Sequence, residues 1–374
     1  MESFCRMLII YKPNGGEEIN MKQKKFGFIQ TGATLLASVA MLSSLLACGN
    51  TNSADGSADA AGGNSSAAPA KSPVTVKTAY APFIGGIGIY ALDDKKFDLD
   101  HNVDLKIGAF GATSPLMSVM TGDVDMAFTT LQSYLVSVNA LIEEGSDITT
   151  LPKIVYLHNA STGADGIVSD ASIKSVADLK GKSVSAQYGE VTHYMLAKAL
   201  ATAGMTIDDV KLVDMGPGKG GAAFVAGSVD AATTFEPYLS QGTTSRDGNI
   251  IISTADMENT ILDVVVVSAK NAAEKPEWLL NTLKAVEDAT QYIEGDLDAA
   301  AELTADDLQV SAEEVKAMFP TVHLYTLADN VEGIGEGGWI YDTMQDVVDF
   351  YTSIGIIKEP FDVTQLVSTD FLWE

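Results

Sequence analysis

Cysteine is almost missing from this chain. The two present, Cys5 and Cys48, leave no room for a disulfide framework or a cysteine metal cluster. Histidine is scarce as well, with four, at positions 101, 158, 193 and 323, and no HExxH or comparable spacing, so neither a metal nor another cofactor is expected. Basic residues number 23 against 50 acidic ones, a formal net charge of −27. That excludes the basic footprint which nucleic acid requires. Acidity says little more, because it also serves solubility. Beyond residue 47 no run could span a bilayer; the best, Ile261 to Ala269, is short and contains Asp263. Catalytic groupings are lacking too. No Ser-His-Asp or paired-carboxylate arrangement can be assembled. Gly216-Pro-Gly-Lys-Gly-Gly221 lacks the GxxxxGK[ST] spacing, and no Ser or Thr follows Lys219. Gly333-Ile-Gly-Glu-Gly337 has no strand before it. The chain reads as a non-enzyme.

What is present begins with an address. Met21-Lys-Gln-Lys-Lys25 is a basic head, Phe26 to Leu46 a mostly apolar run, and Leu45-Leu46-Ala47-Cys48-Gly49 its end. This is the layout of a secretory signal peptide, residues 1–47. A small residue before Cys resembles a bacterial lipobox, with Cys48 lipidated as the mature N-terminus. The competing reading is an uncleaved anchor; the polar interruptions Gly27, Gln30, Thr31, Gly32 and Ser38 and the terminal Cys speak against it. Residues 1–20 fit neither, and the natural start is expected at Met21. Removing residues 1–47 takes five basic and three acidic residues away and leaves 18 and 47, net −29. Residues 48–73 are then mostly Ser, Ala, Gly, Asn and Asp, a flexible tether that cannot pack a core.

The body alternates strand and helix patterns. Strands are expected at Val74–Tyr80, Val103–Ile107, Val124–Thr129 and Lys153–His158, with a glycine-rich turn at Gly85-Gly86 and a helix after Thr113-Ser114-Pro115. The pattern then restarts, with strands at Gly166–Ser169, Ser183–Gln187, Val210–Met215 and Val229–Thr234. Such alternation implies α/β structure with a parallel sheet and crossovers. An internal echo supports two similar lobes. Gly122-Asp-Val-Asp-Met-Ala-Phe-Thr-Thr-Leu-Gln-Ser-Tyr-Leu135 matches Gly227-Ser-Val-Asp-Ala-Ala-Thr-Thr-Phe-Glu-Pro-Tyr-Leu239 with one residue dropped. Chance is the competing explanation, since Gly-x-Val-Asp is a common helix-to-strand turn. From Lys275 the pattern is helical, at Trp278–Ile293, Leu297–Leu303, Ser311–Met318 and Trp339–Ile354, and these helices are expected to pack back on the first lobe. The expected division is 74–168 plus 256–374 for lobe I and 169–255 for lobe II.

The stretch Ser183 to Leu200 is the focus of the site reading. A strand ends at Gln187, Tyr188-Gly189 turns the chain, and a helix starts beside Glu190, Val191, Thr192 and His193. Ligands of open α/β sheets sit at the carboxyl ends of strands, facing helix starts. Each candidate has an ordinary alternative. Ser114 could hold an anion or simply cap its helix. Thr192 could act with helix amides, whereas His193 fits a capped, partly buried histidine. Glu190 suits a helix start whatever its role and would bind an ammonium if it faced the cleft. Phe235 could be an apolar wall or core, and Glu236 a cation contact or a solvated side chain. Thr130 is Phe235's counterpart in the echo. Phe83, Gly85 and Gly86 follow the first strand; glycine there allows close approach or a tight turn. Asp165 stands beside the expected crossover, as a hinge residue or a ligand group.

The body resembles the substrate-binding proteins of the nitrate/sulfonate/taurine group of ABC importers. The matching segments, in order over residues 74–355, are Ala79-Tyr-Ala-Pro-Phe, Gly122-Asp-Val-Asp, Ser161-Thr-Gly-Ala-Asp-Gly-Ile167, Ala177-Asp-Leu-Lys-Gly-Lys-Ser-Val184, Gly189-Glu-Val-Thr-His-Tyr-Met195, Ala226-Gly-Ser-Val-Asp-Ala231 and Phe235-Glu-Pro-Tyr238. The resemblance implies a type II periplasmic binding protein fold: two α/β lobes, a two-strand hinge, a first lobe discontinuous in sequence, and closure on a small ligand. It implies a monomer at the extracytoplasmic face of the cell membrane, anchored by lipid on Cys48 and handing ligand to ABC permease subunits. Relatives often carry a small residue at the position of Glu190 and Trp at that of Phe235. Both should face the ligand, so a sulfonate such as taurine stands beside a thiamine-pyrimidine precursor or another amine-bearing molecule. A secreted enzyme or a surface sensor of the same fold are the rival classes. The enzymes of this architecture carry a cysteine-rich motif, absent here.

Overall fold

Among the described residues eleven strands organise the body: β1 (Val74–Ala79), β2 (Val103–Gly108), β3 (Met126–Thr130), β4 (Lys153–Ser161), β5 (Asp165–Ser169), β6 (Ser183–Ala186), β7 (Lys211–Asp214), β8 (Ala231–Phe235), β9 (Asn249–Ser253), β10 (Leu262–Val267) and β11 (Val322–Leu324). They come from a computed structural model that describes residues 72–80, 83–108, 115–257 and 259–373. The segment expected to be a signal peptide, the expected tether up to residue 71, Cys48 and Ser114 lie outside those residues. The strands form two sheets, in the orders β11-β4-β10-β3-β1-β2 and β7-β6-β8-β5-β9. In each, three parallel strands (β2-β1-β3 and β7-β6-β8) meet antiparallel partners. The sheets are therefore mixed, where the alternation of elements alone implies parallel ones. β5 and β10 are the strands on which the chain crosses between sheets, and each enters its sheet against the direction of its neighbour.

Two connections join the lobes, at 162–164 and 254–261. They are stitched together by hydroxyls. Ser161 Oγ and Thr254 Oγ1 lie 2.7 Å apart, the Gly163 amide donates to Thr254 Oγ1 at 2.8 Å, and the Asp165 amide donates to Ser161 Oγ at 3.0 Å. Thr254 is buried, so these bonds are protected from water. The strand Asp165–Ser169 belongs to the second sheet, so the first crossing falls before residue 165 rather than at 168.

The echo has a physical basis. Asp125, just before β3, exchanges two hydrogen bonds with Lys77 of β1: its carboxylate accepts from the Lys77 amide at 2.8 Å and its amide donates back at 2.9 Å. Asp230, just before β8, does the same with Ser183 of β6, at 2.8 and 3.0 Å. The Val-Asp turn thus ties a helix-to-strand corner to the neighbouring parallel strand, twice, at equivalent places.

The late helices pack on the first sheet, as their apolar spacing requires. Glu277–Gly295 buries Leu279, Leu283, Val286 and Ile293, and the first three join Val76, Val103 and Leu105 in one core. Burying one such side chain is worth about 1.5–3 kcal/mol. Ile340–Ser353 buries Met344, Val347, Val348 and Tyr351 against Leu131, Tyr134 and Val264 on the other side of the sheet. Ser311 and Glu314 form the expected capping box, with the Glu314 amide donating to Ser311 Oγ at 3.2 Å and the Ser311 amide donating to Glu314 Oε2 at 2.8 Å. The helix Leu131–Glu143, which the sequence reading did not name, buries Leu131, Tyr134, Leu135 and Val138 between the sheet and Ile340–Ser353.

Candidate ligand-binding site

The carboxyl ends of β1, β3, β6 and β8 converge on one cavity of about 310 Å³. The first lobe contributes Tyr80 and Phe83 after β1, Pro115, Phe128 to Thr130 at the end of β3, Ser133 and Ser137 on the helix that follows, and Ile261 and Asp263 at the start of β10. The second lobe contributes Glu190 and Val191 after β6, Phe235 at the end of β8, and Asp165 at the start of β5. Of the residues named from sequence, Phe83, Thr130, Asp165, Glu190, Val191 and Phe235 meet here.

The aromatic side chains form the walls. Phe83 and Phe235 reach across the cleft edge to face, with ring centroids 6.1 Å apart. Tyr80 is held edge-on between Tyr90 and Phe128 at 5.7 and 6.2 Å. Its hydroxyl donates to the Phe83 carbonyl at 3.1 Å and accepts from the Phe83 amide at 3.2 Å, which sets the approach of that ring. Gly85 and Gly86 act behind this wall. A Cβ on Gly86 would collide with Tyr80 Oη, and one on Gly85 would collide with the Phe83 ring. Neither glycine lines the cavity; both make room for the side chains that do.

The polar groups divide into three sets. Thr130 caps the helix Leu131–Glu143 by accepting from the Ser133 amide at 3.2 Å, and its hydroxyl donates to Ser133 Oγ at 2.9 Å. Ser133 Oγ donates to Glu190 Oε2 at 2.8 Å, so one hydrogen-bonded chain bridges the lobes. Glu190 is also the residue before the helix Val191–Thr202, where its charge meets the helix dipole. The third set is Asp165 and Asp263, 4% and 6% exposed. Burial pushes Asp165 up to about 7, with Asp263 and Glu236 adding like charge. Burial likewise pushes Asp263 up to about 6, against a hydrogen bond from Asn159 Nδ2 at 3.1 Å. Among the described residues no Lys, Arg or His lines the cavity.

Three sequence candidates lie away from the cavity wall. Thr192 is buried and accepts from the Gln187 amide at 2.9 Å, bracing the turn. His193 is buried on the far side of that turn, accepting from the Gly189 amide at 3.3 Å and lying 4.9 Å from the Tyr188 ring and 6.1 Å from Phe350. Burial lowers its pKa. Glu236 is buried but turned to its own helix, where it accepts from the Ser240 amide at 3.1 Å and hydroxyl at 2.8 Å. Sequence reading missed Asp263, Tyr80 and Ser133. Asp263 stands in a run of valines, and its lone charge in a buried strand was the available signal.

A two-lobed α/β protein with its cavity at facing strand ends has the periplasmic binding protein fold. The sequence pattern of the NMT1/THI5-like family matches residues 85–300, more than half of the chain, and the chain belongs to that family. It is similar to a binding protein of Brucella abortus (strain 2308), at 24% identity over 225 residues, 59% of this chain and 69% of that one. A Bacillus subtilis (strain 168) protein named for binding aliphatic sulfonates is 27% identical over 224 residues, 59% of this chain and 65% of that one. The crystal structure of the periplasmic aliphatic sulphonate binding protein SsuA from Escherichia coli superposes with a TM-score of 0.66 at 19% identity, over 81% of this chain and 93% of that one.

Proposed function

We propose that this protein is an extracytoplasmic solute receptor of an ABC importer, held at the membrane by lipid on Cys48, and that its ligand is a small molecule bearing an amine. It performs no chemical step; the lobes close on the ligand and present the closed form to a permease. The observation that carries the ligand reading is the cavity's charge: among the described residues Asp165, Asp263 and Glu190 line it and no basic side chain does. A buried anion needs a charge partner, and this cavity offers a ligand anion none. At two of the helix starts beside the cavity the protein places its own oxygens: Thr130 Oγ1 accepts from the Ser133 amide, and Glu190 stands at the N-cap of Val191–Thr202 with its carboxylate bonded to Ser133.

A second reading, a sulfonate, is favoured by the names of the relatives. An aminosulfonate such as taurine meets both, with its ammonium among the carboxylates. Fold alone does not separate receptor from enzyme; the body has no cysteine, which supports the receptor.

The test is a thermal-shift screen of taurine, alkanesulfonates, nitrate, aminopyrimidines and small amines. A ligand at 100 times its Kd adds about 2.7 kcal/mol to stability. Amines and taurine should raise the Tm. No shift with any of these classes would refute the ligand reading, and turnover of a binder by the pure protein would refute the receptor reading. Anchoring is tested separately: Cys48→Ser should release the protein from the cell surface.

A further inference from the structure

We infer that the cavity is built for a small planar cation with N–H donors on opposite edges, one edge for Asp165 and the other for Asp263, as in an amidinium or a guanidinium. This rests on the reading of the protein as a solute receptor and specifies its ligand further.

The geometry comes from the duplication. Asp263 pairs with Thr130 across β10 and β3, and Asp165 pairs with Phe235 across β5 and β8. Thr130 and Phe235 occupy matching places in the repeated segment. The two aspartates are therefore counterparts, one from each lobe, brought to the same cavity by equivalent strands. Both are more than nine-tenths buried. The hydrogen-bonding neighbour of each is neutral: Asn159 Nδ2 donates to Asp263 at 3.1 Å, and the Ser161 hydroxyl is the hydrogen-bonding neighbour of Asp165. A carboxyl so buried is stable when it holds a proton or meets a cation. Glu190 is engaged by Ser133 at 2.8 Å, which leaves the aspartates as the other acidic pair on the wall.

The shape of the ligand follows from the rest of the wall. Phe83 and Phe235 approach from opposite lobes, and their rings favour a flat, weakly hydrated cation over a compact ammonium. A cavity of about 310 Å³ is at the small end for ligand sites. A planar cation with two donor edges can bond to a carboxylate on each side while its faces remain against rings. Below about pH 6, where the titration is run, entry of the cation displaces the protons that burial keeps on the aspartates. Asp263 and Glu236 act on Asp165 through like charge and the Ser161 hydroxyl through a hydrogen bond, while Asn159 donates to Asp263, whose charge also acts on Tyr80.

The experiment is isothermal titration of the mature protein with benzamidine and methylguanidine, with taurine and ethanesulfonate in parallel. Wild type should bind an amidine or guanidine probe and release protons, read as a binding heat that changes with the ionisation heat of the buffer. Asp165→Asn and Asp263→Asn should each weaken binding at least tenfold, the double change more, while unfolding remains cooperative. Should a variant not fold, proton release by wild type still decides. Binding of ethanesulfonate but of neither cation would overturn this inference and leave the receptor reading standing. Cation binding without proton release, or unchanged in both variants, would also overturn it. If neither class binds, both readings fall.

Discussion

The two lobes repeat one design and differ where they face each other. In both, an aspartate before the third strand of the unit locks a corner to the parallel neighbour, and a crossing strand brings a second aspartate to the cavity. At the end of that third strand the lobes part. The first has Thr130, which caps a helix; the second has Phe235, whose ring lies 6.1 Å from Phe83 and 5.9 Å from Tyr238. What is repeated builds the frame, and what differs sets the ligand. One lobe supplies hydroxyls and the other a ring and Glu190.

The largest effect expected concerns the aspartate pair and pH. Unfolded aspartate titrates near 3.9. With folded values of about 7 and about 6, the folded state binds more protons between roughly pH 4 and 7, so these two groups lower stability as pH rises through that window. Two buried histidines oppose them. His158 is pushed down to about 4 by burial and His193 is lowered too, so each adds stability as pH rises toward its unfolded value near 6.5. The terms offset each other in wild type, and a difference measurement is needed. Each tenfold change in proton affinity is worth about 1.4 kcal/mol. The double change Asp165→Asn, Asp263→Asn should therefore gain several kcal/mol relative to wild type between pH 5 and 8, measured by urea unfolding. Equal gain at both pH values would show that the aspartates are not proton-loaded. The single changes sharpen the comparison: Asp165→Asn should shift the profile at higher pH than Asp263→Asn.

Next in size is the wall. Gly86→Ala places a methyl against Tyr80, which is fixed between Tyr90 and Phe128, and overpacking of this kind costs about 1–3 kcal/mol. Calorimetry should show a lower Tm, and ligand affinity should fall with it because Tyr80 positions Phe83. An unchanged Tm would mean that the ring moves freely.

The locked corners allow a direct comparison. Asp230 accepts from both the Ser183 amide at 2.8 Å and its hydroxyl at 2.7 Å, whereas Asp125 accepts from the Lys77 amide. Asp230→Ala should cost about 1–3 kcal/mol and Asp125→Ala about 0.5–1.5. The hydrogen bonds of Asp230 hold its pKa below the usual range, so its contribution is present above pH 4 and is lost as pH falls through the folded value. A larger loss for Asp125→Ala would break the ranking.

The smallest effect is on closure. Ser133→Ala removes the bond to Glu190, worth about 0.5–1.5 kcal/mol. Small-angle scattering should show a more open empty form, with little change in unfolding midpoint. No change in shape would mean that the bond does not hold the lobes.

Much of this molecule was legible as sequence, for reasons that are local. Strands with period-two burial, the Ser311 and Glu314 cap and the apolar stripe of Glu277–Gly295 are written in short-range pattern, and so is the repeated Gly-x-Val-Asp corner. The helix Leu131–Glu143 and the short strand Val322–Leu324 were missed. The first carries Leu131, Tyr134, Leu135 and Val138 at helical spacing, which was passed over because the repeated segment runs into it, and the second is three residues long, held by pairing with β4. At the site, spacing after strand ends indicated Phe83, Thr130, Glu190 and Phe235. Direction was not legible: Thr192, His193 and Glu236 stand at the right places in the chain, but their side chains go to the Gln187 amide, to Tyr188 and Phe350, and to Ser240. Nor was the aspartate pair, since no local pattern relates residues 165 and 263. By itself the sequence determined two α/β units, their repeated corner and an acidic, cysteine-poor body, because these depend on neighbours along the chain. Only the tertiary structure decided which carboxyls share a cavity, because that depends on two crossing strands meeting in space and on the burial that gives their charges weight.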